Sequence, residues 1–282
     1  EWKGSLAIPV LDRYVVEKGS ESFIPWLLRG WFLVKWAWEA RSGRTIDHVS
    51  RSAYGEFRRR LALARTDLDT ALTHSTHGEI FAAMLKVSVG EEWDGQASHA
   101  LFERAIQGTS RLHWAVWTSM LTKLTEKWGG SHAEMFGLAR HASKMAPEGH
   151  YLNALTALAH AERYLFFSMD DDEDPAVLKR QEAAYFTQQA VVEDVLNAYR
   201  AYCGPPGTTT GEHHDPSHQH FALVLWKIWD ATGQSDDSIA EHARCELKQI
   251  MQPAEDFSPA WAWLTNKNRP AAFRLVSSSL GV

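Results

Sequence analysis

The chain has 282 residues, 45% hydrophobic and 23% charged, a balance that excludes wholesale disorder. Its 29 basic and 35 acidic side chains leave a net charge of −6, which argues against a general nucleic-acid binder needing a basic face. Two cysteines, Cys203 and Cys245, exclude a disulfide-built scaffold and point to free thiols in a reducing compartment, so a cytoplasmic location is expected.

Apolar residues recur at three- and four-residue spacing almost throughout, and the alternation that marks strands is absent. The pattern predicts helices over 21–41, 46–73, 77–89, 96–107, 111–126, 132–146, 149–168, 175–202, 216–232, 236–250, 259–266 and 270–280. The first contains the most apolar stretch, Phe23 to Trp38. Pro25, Arg29 and Lys35 interrupt it, and it falls short of the ~20 apolar residues of a membrane span, so a buried helix is expected and no membrane partner. Val87-Ser88-Val89 is the one weak strand candidate. Further along, Gly129-Gly130 can end a helix, and Ser131-His132-Ala133-Glu134 reads as a capping box for the next. Gly233 with Ser235 repeats that stop and restart. Asp174-Pro175, Asp215-Pro216 and Ser258-Pro259 each place a capping side chain before a proline.

A repeat runs through these helices. Ala71 and Thr76 recur 34 residues later as Ala105 and Ser110, and 37 residues later again as Ala142 and Pro147. A small residue that lets two helices approach, followed by a terminator, closes a tetratricopeptide-like unit. Gly233 and Cys245 fit a later one. The expected fold is all-α: a tetratricopeptide-like superhelical array of antiparallel helix hairpins, forming a single domain over 1–282. Irregular insertions are expected near 169–174, where acids run from Asp170 to Asp174, and at 204–216, which carries Pro205, Pro206 and Gly207.

Lys127-Trp128-Gly129-Gly130-Ser131-His132-Ala133-Glu134-Met135, followed by Ala139-Arg140, resembles a signature of bacterial tetratricopeptide-like proteins of unknown function. Residues 30–43, with Trp36, Trp38, Glu39, Ala40 and Arg41, resemble a second block of that family. The resemblance covers roughly residues 25 to 165. It implies a helical-hairpin array, and it brings no reaction and no functional residue.

The thirteen tryptophans are the most unusual feature of the composition. Trp114/Trp117 and Trp226/Trp229 stand three apart and share helix faces. In the repeat register Trp114 and Trp117 fall at positions that line the concave surface where such arrays bind partners, and Tyr151, His220 and Asp230 face the same way. Trp226 and Trp229 fall at packing positions. The expected function is therefore a non-catalytic scaffold, not an enzyme, that captures a protein segment or peptide on a concave Trp-rich surface without a cofactor.

The alternative is an enzyme or a small-molecule or metal-binding protein. Glu212 to His220 holds His213, His214, His218 and His220, and imidazoles suit zinc or another transition metal. That reading requires the histidines to converge with acids such as Glu162 or Asp230. A homo-oligomeric self-association module is the third reading. The acidic run lacks the spacing of an EF-hand loop, and Arg58-Arg59-Arg60 with Arg65 reads as a wet helix face.

Overall fold

The computed structural model of the chain describes residues 4–41, 48–108, 111–167, 174–205, 214–251, 261, 265 and 267–282. Among the described residues the fold is all-α, with no strand. Among the described residues thirteen α-helices are defined: α1 Gly4–Lys18, α2 Ile24–Arg41, α3 Arg51–His74, α4 Gly78–Gly90, α5 Gly95–Gln107, α6 Trp114–Lys123, α7 His132–Met145, α8 Leu155–Phe167, α9 Pro175–Phe186, α10 Gln189–Cys203, α11 Asp215–Ala231, α12 Asp237–Gln249 and α13 Arg269–Leu280. No described helix is long and apolar enough to cross a membrane. The chain divides into two compact units: Glu1–Leu124 with Trp128–Gly130, and Thr125–Lys127 with Ser131–Val282. The division falls in the turn around Lys127–Gly130, where Gly129 adopts φ +82°.

The first unit is organised by α2 and α3. Arg29 donates from Nε and Nη2 to the two carboxylate oxygens of Asp67 at 2.8 and 2.7 Å, and Arg60 donates to the carbonyl of Trp36 at 2.8 Å. Numbers rise on one helix as they fall on the other, so the pair is antiparallel. Gly30 permits the close approach, since a Cβ there would lie 2.9 Å from the Leu68 side chain. Leu33, Val34, Ala37, Phe57, Leu61, Ala64, Leu68, Ile80 and Met84 fill the core between α2, α3 and α4. α4 and α6 run parallel: Gly78 abuts the His113 ring before α6, and Lys123 at the end of α6 donates to the carbonyl of Trp93 at 2.8 Å. Val87-Ser88-Val89 forms the buried last turns of α4, so it is helix and not strand.

In the second unit α7 and α8 pack side by side. Ser131 accepts from the Glu134 amide at 3.2 Å, and its hydroxyl donates to the Glu134 carboxylate at 2.7 Å, so the box closes side chain to side chain. Asp174 caps α9 through the Ala176 amide, and Asp236 caps α12 after Gly233 turns the chain at φ +72°. Tyr199 of α10 packs edge-on to Phe221 of α11, and the Trp226 Nε1 donates to Ser279 of α13 at 2.8 Å.

The elements depart from expectation in several places. α1 is an additional helix, with Pro9 inside it. The helix expected over 175–202 is two: α9 ends at its cap residue Thr187, whose hydroxyl donates to the Ala183 carbonyl at 2.7 Å, and α10 restarts after Gln188. Residues 151–154 form a 3-10 turn before α8, with the His150 ring accepting from the Leu152 amide. His214, and not Asp215, occupies the cap position of α11. The helix expected over 259–266 lies mostly outside the described residues, as do the insertion residues 169–173 and 206–213.

Candidate functional site

The second unit contains a cleft of about 800 Å³ lined from α7, α8, α9 and α10. Its shape follows from helix spacing. His132, Phe136 and Arg140 recur every four residues and make one stripe of α7. Val191, Asp194 and Asn197 recur every three on α10. His160 and Arg163 come from α8 and Tyr185 from α9.

His160 joins these elements. It is 4% exposed, with the Tyr185 hydroxyl 2.6 Å from Nδ1 and Asp194 Oδ2 3.1 Å from Nε2. A neutral ring that accepts from Tyr185 and donates from Nε2 to Asp194 satisfies all three groups. The Phe136 ring packs 4.8 Å from the imidazole. The hydrogen bond from His160 holds the Asp194 carboxyl below the usual carboxylate range, with Arg140 adding to the effect. Burial pushes the Tyr185 phenol up, so it stays a donor. The Arg163 guanidinium sits 5.7 Å from the Tyr185 ring centroid. Burial also lowers the His132 imidazole, which pairs with Glu126 at 2.8 Å.

The cleft therefore offers aromatic faces, amides from Gln188 and Asn197, cations from Arg140 and Arg163, and anions from Glu193 and Asp194. The Tyr185–His160–Asp194 chain, buried at Tyr185 and His160 and half-exposed at Asp194, links α8, α9 and α10 around the cleft.

The residues singled out from sequence do not form one site. Trp117 is fully buried, edge-on to Phe102 at 5.0 Å, and its Nε1 donates to the Arg111 carbonyl at 2.8 Å. This corrects its expected place on an open surface: it is a core residue of the first unit. Trp114, three residues earlier, is half-buried. Tyr151 is sandwiched in the second unit between the His150 ring at 4.0 Å and the His214 ring at 4.3 Å. His220 is buried at 5% exposure, which corrects its expected place on an open face, and Asp230 is exposed. Trp226 and Trp229 are buried, as their register predicts.

The histidine cluster is spread over different partners. His214 Nδ1 lies 2.7 Å from the Ser217 hydroxyl. His218 Nδ1 lies 2.7 Å from Glu246 Oε2 and 2.9 Å from the Tyr202 hydroxyl. Burial pushes the His220 imidazole down to about 4. Glu162 is engaged by Lys127 at 2.6 Å. His213 lies outside the described residues, and among the described residues no group of three or more potential ligands is placed to hold a metal ion.

His160, Tyr185 and Asp194 carry no sequence motif. His160 and Arg163, three apart on the largely apolar α8, are the available signal. Tyr185 and Asp194 stand on either side of the α9–α10 break, so reading 175–202 as one helix scrambles their register. No family model, curated protein or solved structure matches the chain.

Proposed function

We propose that the chain is a non-catalytic, tetratricopeptide-like helical scaffold that captures a protein segment or peptide, and that the capture site is the cleft between α7, α8 and α10. The observation that carries this reading is an open cleft of about 800 Å³ whose lining combines Phe136 and Tyr185 with Arg140, Arg163 and the amides of Gln188 and Asn197. Its walls are fixed in advance by the His160 hydrogen bonds, which lowers the ordering cost of binding. The repeat assignment draws support from the first unit, where α4 and α6 lie parallel and Gly78 meets His113, 35 residues on. A cytoplasmic setting fits the two exposed cysteines, neither of which is in a disulfide.

The catalytic alternative draws less support. Tyr185, the hydroxyl in the Tyr185–His160–Asp194 chain, is 7% exposed and held protonated by its surroundings. It is a strut and not a poised nucleophile.

The test is fluorescence anisotropy of end-labelled random nonapeptide pools titrated with the full chain. Micromolar binding is expected, weakened about ten-fold by Arg163→Ala, the scale of one anchor residue. The variant should keep its helical circular dichroism. No binding by any pool, or binding untouched by the substitution, contradicts the proposal.

A further inference from the structure

The polar groups that line the α7–α10 cleft are unequally committed. Asp194 Oδ2 takes His160 Nε2 at 3.1 Å, and the Tyr185 hydroxyl is spent on His160 Nδ1 at 2.6 Å. Glu193 Oε1 accepts from Gln189, four residues back on α10, at 2.7 Å. Asn197 Oδ1 accepts from Arg200 at 2.6 Å. A guanidinium only donates, so this bond fixes the amide and leaves Asn197 Nδ2 as a donor. Arg140 is the opposite case. It is exposed, it lines the cleft, and among the described residues no hydrogen bond or ion pair takes its guanidinium. Nor does any described group accept from Asn197 Nδ2. The two donors belong to one end of the cleft. The Gly149 amide, just past the end of α7, donates to the Ala201 carbonyl in the last turn of α10 at 2.7 Å. α7 and α10 therefore approach each other at their C-terminal ends, and Arg140 and Asn197 are the lining residues nearest those ends. Phe136 stands one turn back from Arg140 on the same stripe.

We propose that the captured segment presents a carboxylate to Arg140 and Asn197, with an apolar side chain two residues away against Phe136. The proposal rests on the capture reading above and names the chemistry that the cleft selects. An arginine offers parallel N–H groups that match the two oxygens of a carboxylate, and such charge-assisted bonds are roughly twice as strong as neutral ones. Asn197 Nδ2 adds a further donor. A cationic side chain would meet Asp194 and Glu193, which already hold donors, whereas a carboxylate meets donors that no protein group satisfies. The spacing follows from the two backbones. One turn of α7, from Phe136 to Arg140, advances about 6 Å. Two residues of an extended chain advance about 6.7 Å and return to the same face.

The test is fluorescence anisotropy of the full chain with N-terminally labelled, serine-rich nonapeptides. One, amidated at its C-terminus, carries a central aspartate with a leucine two residues away on each side. Its twins carry asparagine or lysine in place of the aspartate. A fourth peptide has a free C-terminal carboxylate, a leucine two residues before it and no acidic side chain. A carboxylate peptide should bind about ten-fold tighter than the asparagine twin, and Arg140→Gln should erase that preference with helical circular dichroism intact. Asn197→Ala should narrow it. Tight binding of the aspartate peptide alone assigns the carboxylate to a side chain, and tight binding of the fourth peptide assigns it to a chain end. Neither binding tighter than the asparagine twin, the lysine twin binding tightest, or a preference that survives Arg140→Gln overturns the carboxylate site while the random pools still bind. Binding by none of these peptides and none of the pools overturns the capture reading and the carboxylate site with it.

Discussion

His220 was a candidate for an open binding face, yet α11 turns it into the packed interior, where it is 5% exposed. Its imidazole is held at about 4, first by burial and then by the nearby His214. In the unfolded chain the same ring titrates near about 6.5. The unfolded state therefore binds a proton that the folded state refuses. The resulting stability is complete above pH about 6.5 and is lost as the pH falls toward about 4, by about 3 kcal/mol over that window. Replacing His220 with glutamine, neutral at every pH, should flatten this part of the profile. Urea midpoints at pH 7 and pH 4.5 measure it, and an unchanged slope in the variant contradicts the account. Trp117 teaches a related lesson. Its spacing from Trp114 correctly puts both on one side of α6, but spacing does not tell which side faces Phe102 and which faces water.

At the scale of elements, helices were legible wherever caps and glycines punctuate the chain. Ser131 with Glu134, Asp174 with Pro175 and Gly233 each act where the sequence places them. No glycine or proline announces the α9–α10 break, which falls at Thr187 and Gln188. α1 is hidden by Pro9 and by a face that leaves Leu6, Val10 and Val16 exposed. The cleft inherits the first failure, since Tyr185 and Asp194 come together only across that break. Helix proximity gives a sharper prediction at Gly30. A Cβ there would press on the buried Leu68 at 2.9 Å, so Gly30→Ala should destabilise by about 1–3 kcal/mol. Gly55 in α3 has nothing within 4 Å of its would-be Cβ, so Gly55→Ala should instead stabilise by about 0.5–1 kcal/mol. Opposite shifts of the urea midpoint support the α2–α3 packing, and shifts of the same sign contradict it.

At the scale of the whole molecule, composition and periodicity were enough for the all-helical class, because a buried helical stripe needs only the right residues every three or four positions. They were not enough for the division into two compact units, which is set by tertiary contacts that neither composition nor periodicity encodes. Nor could they choose between a tryptophan surface in the first unit and a cleft in the second. The structure supplies the reason to prefer the cleft: Trp117 is spent on the core, whereas Arg140, Arg163 and Phe136 line open space. The most direct measurement of that choice is site-specific photocrosslinking. A benzophenone side chain replaces Gln188 on the cleft rim in one variant and Trp114 in another, and each is irradiated with the random nonapeptide pools. The account predicts peptide adducts at position 188 and none at position 114. Adducts at 114 with none at 188 would contradict it.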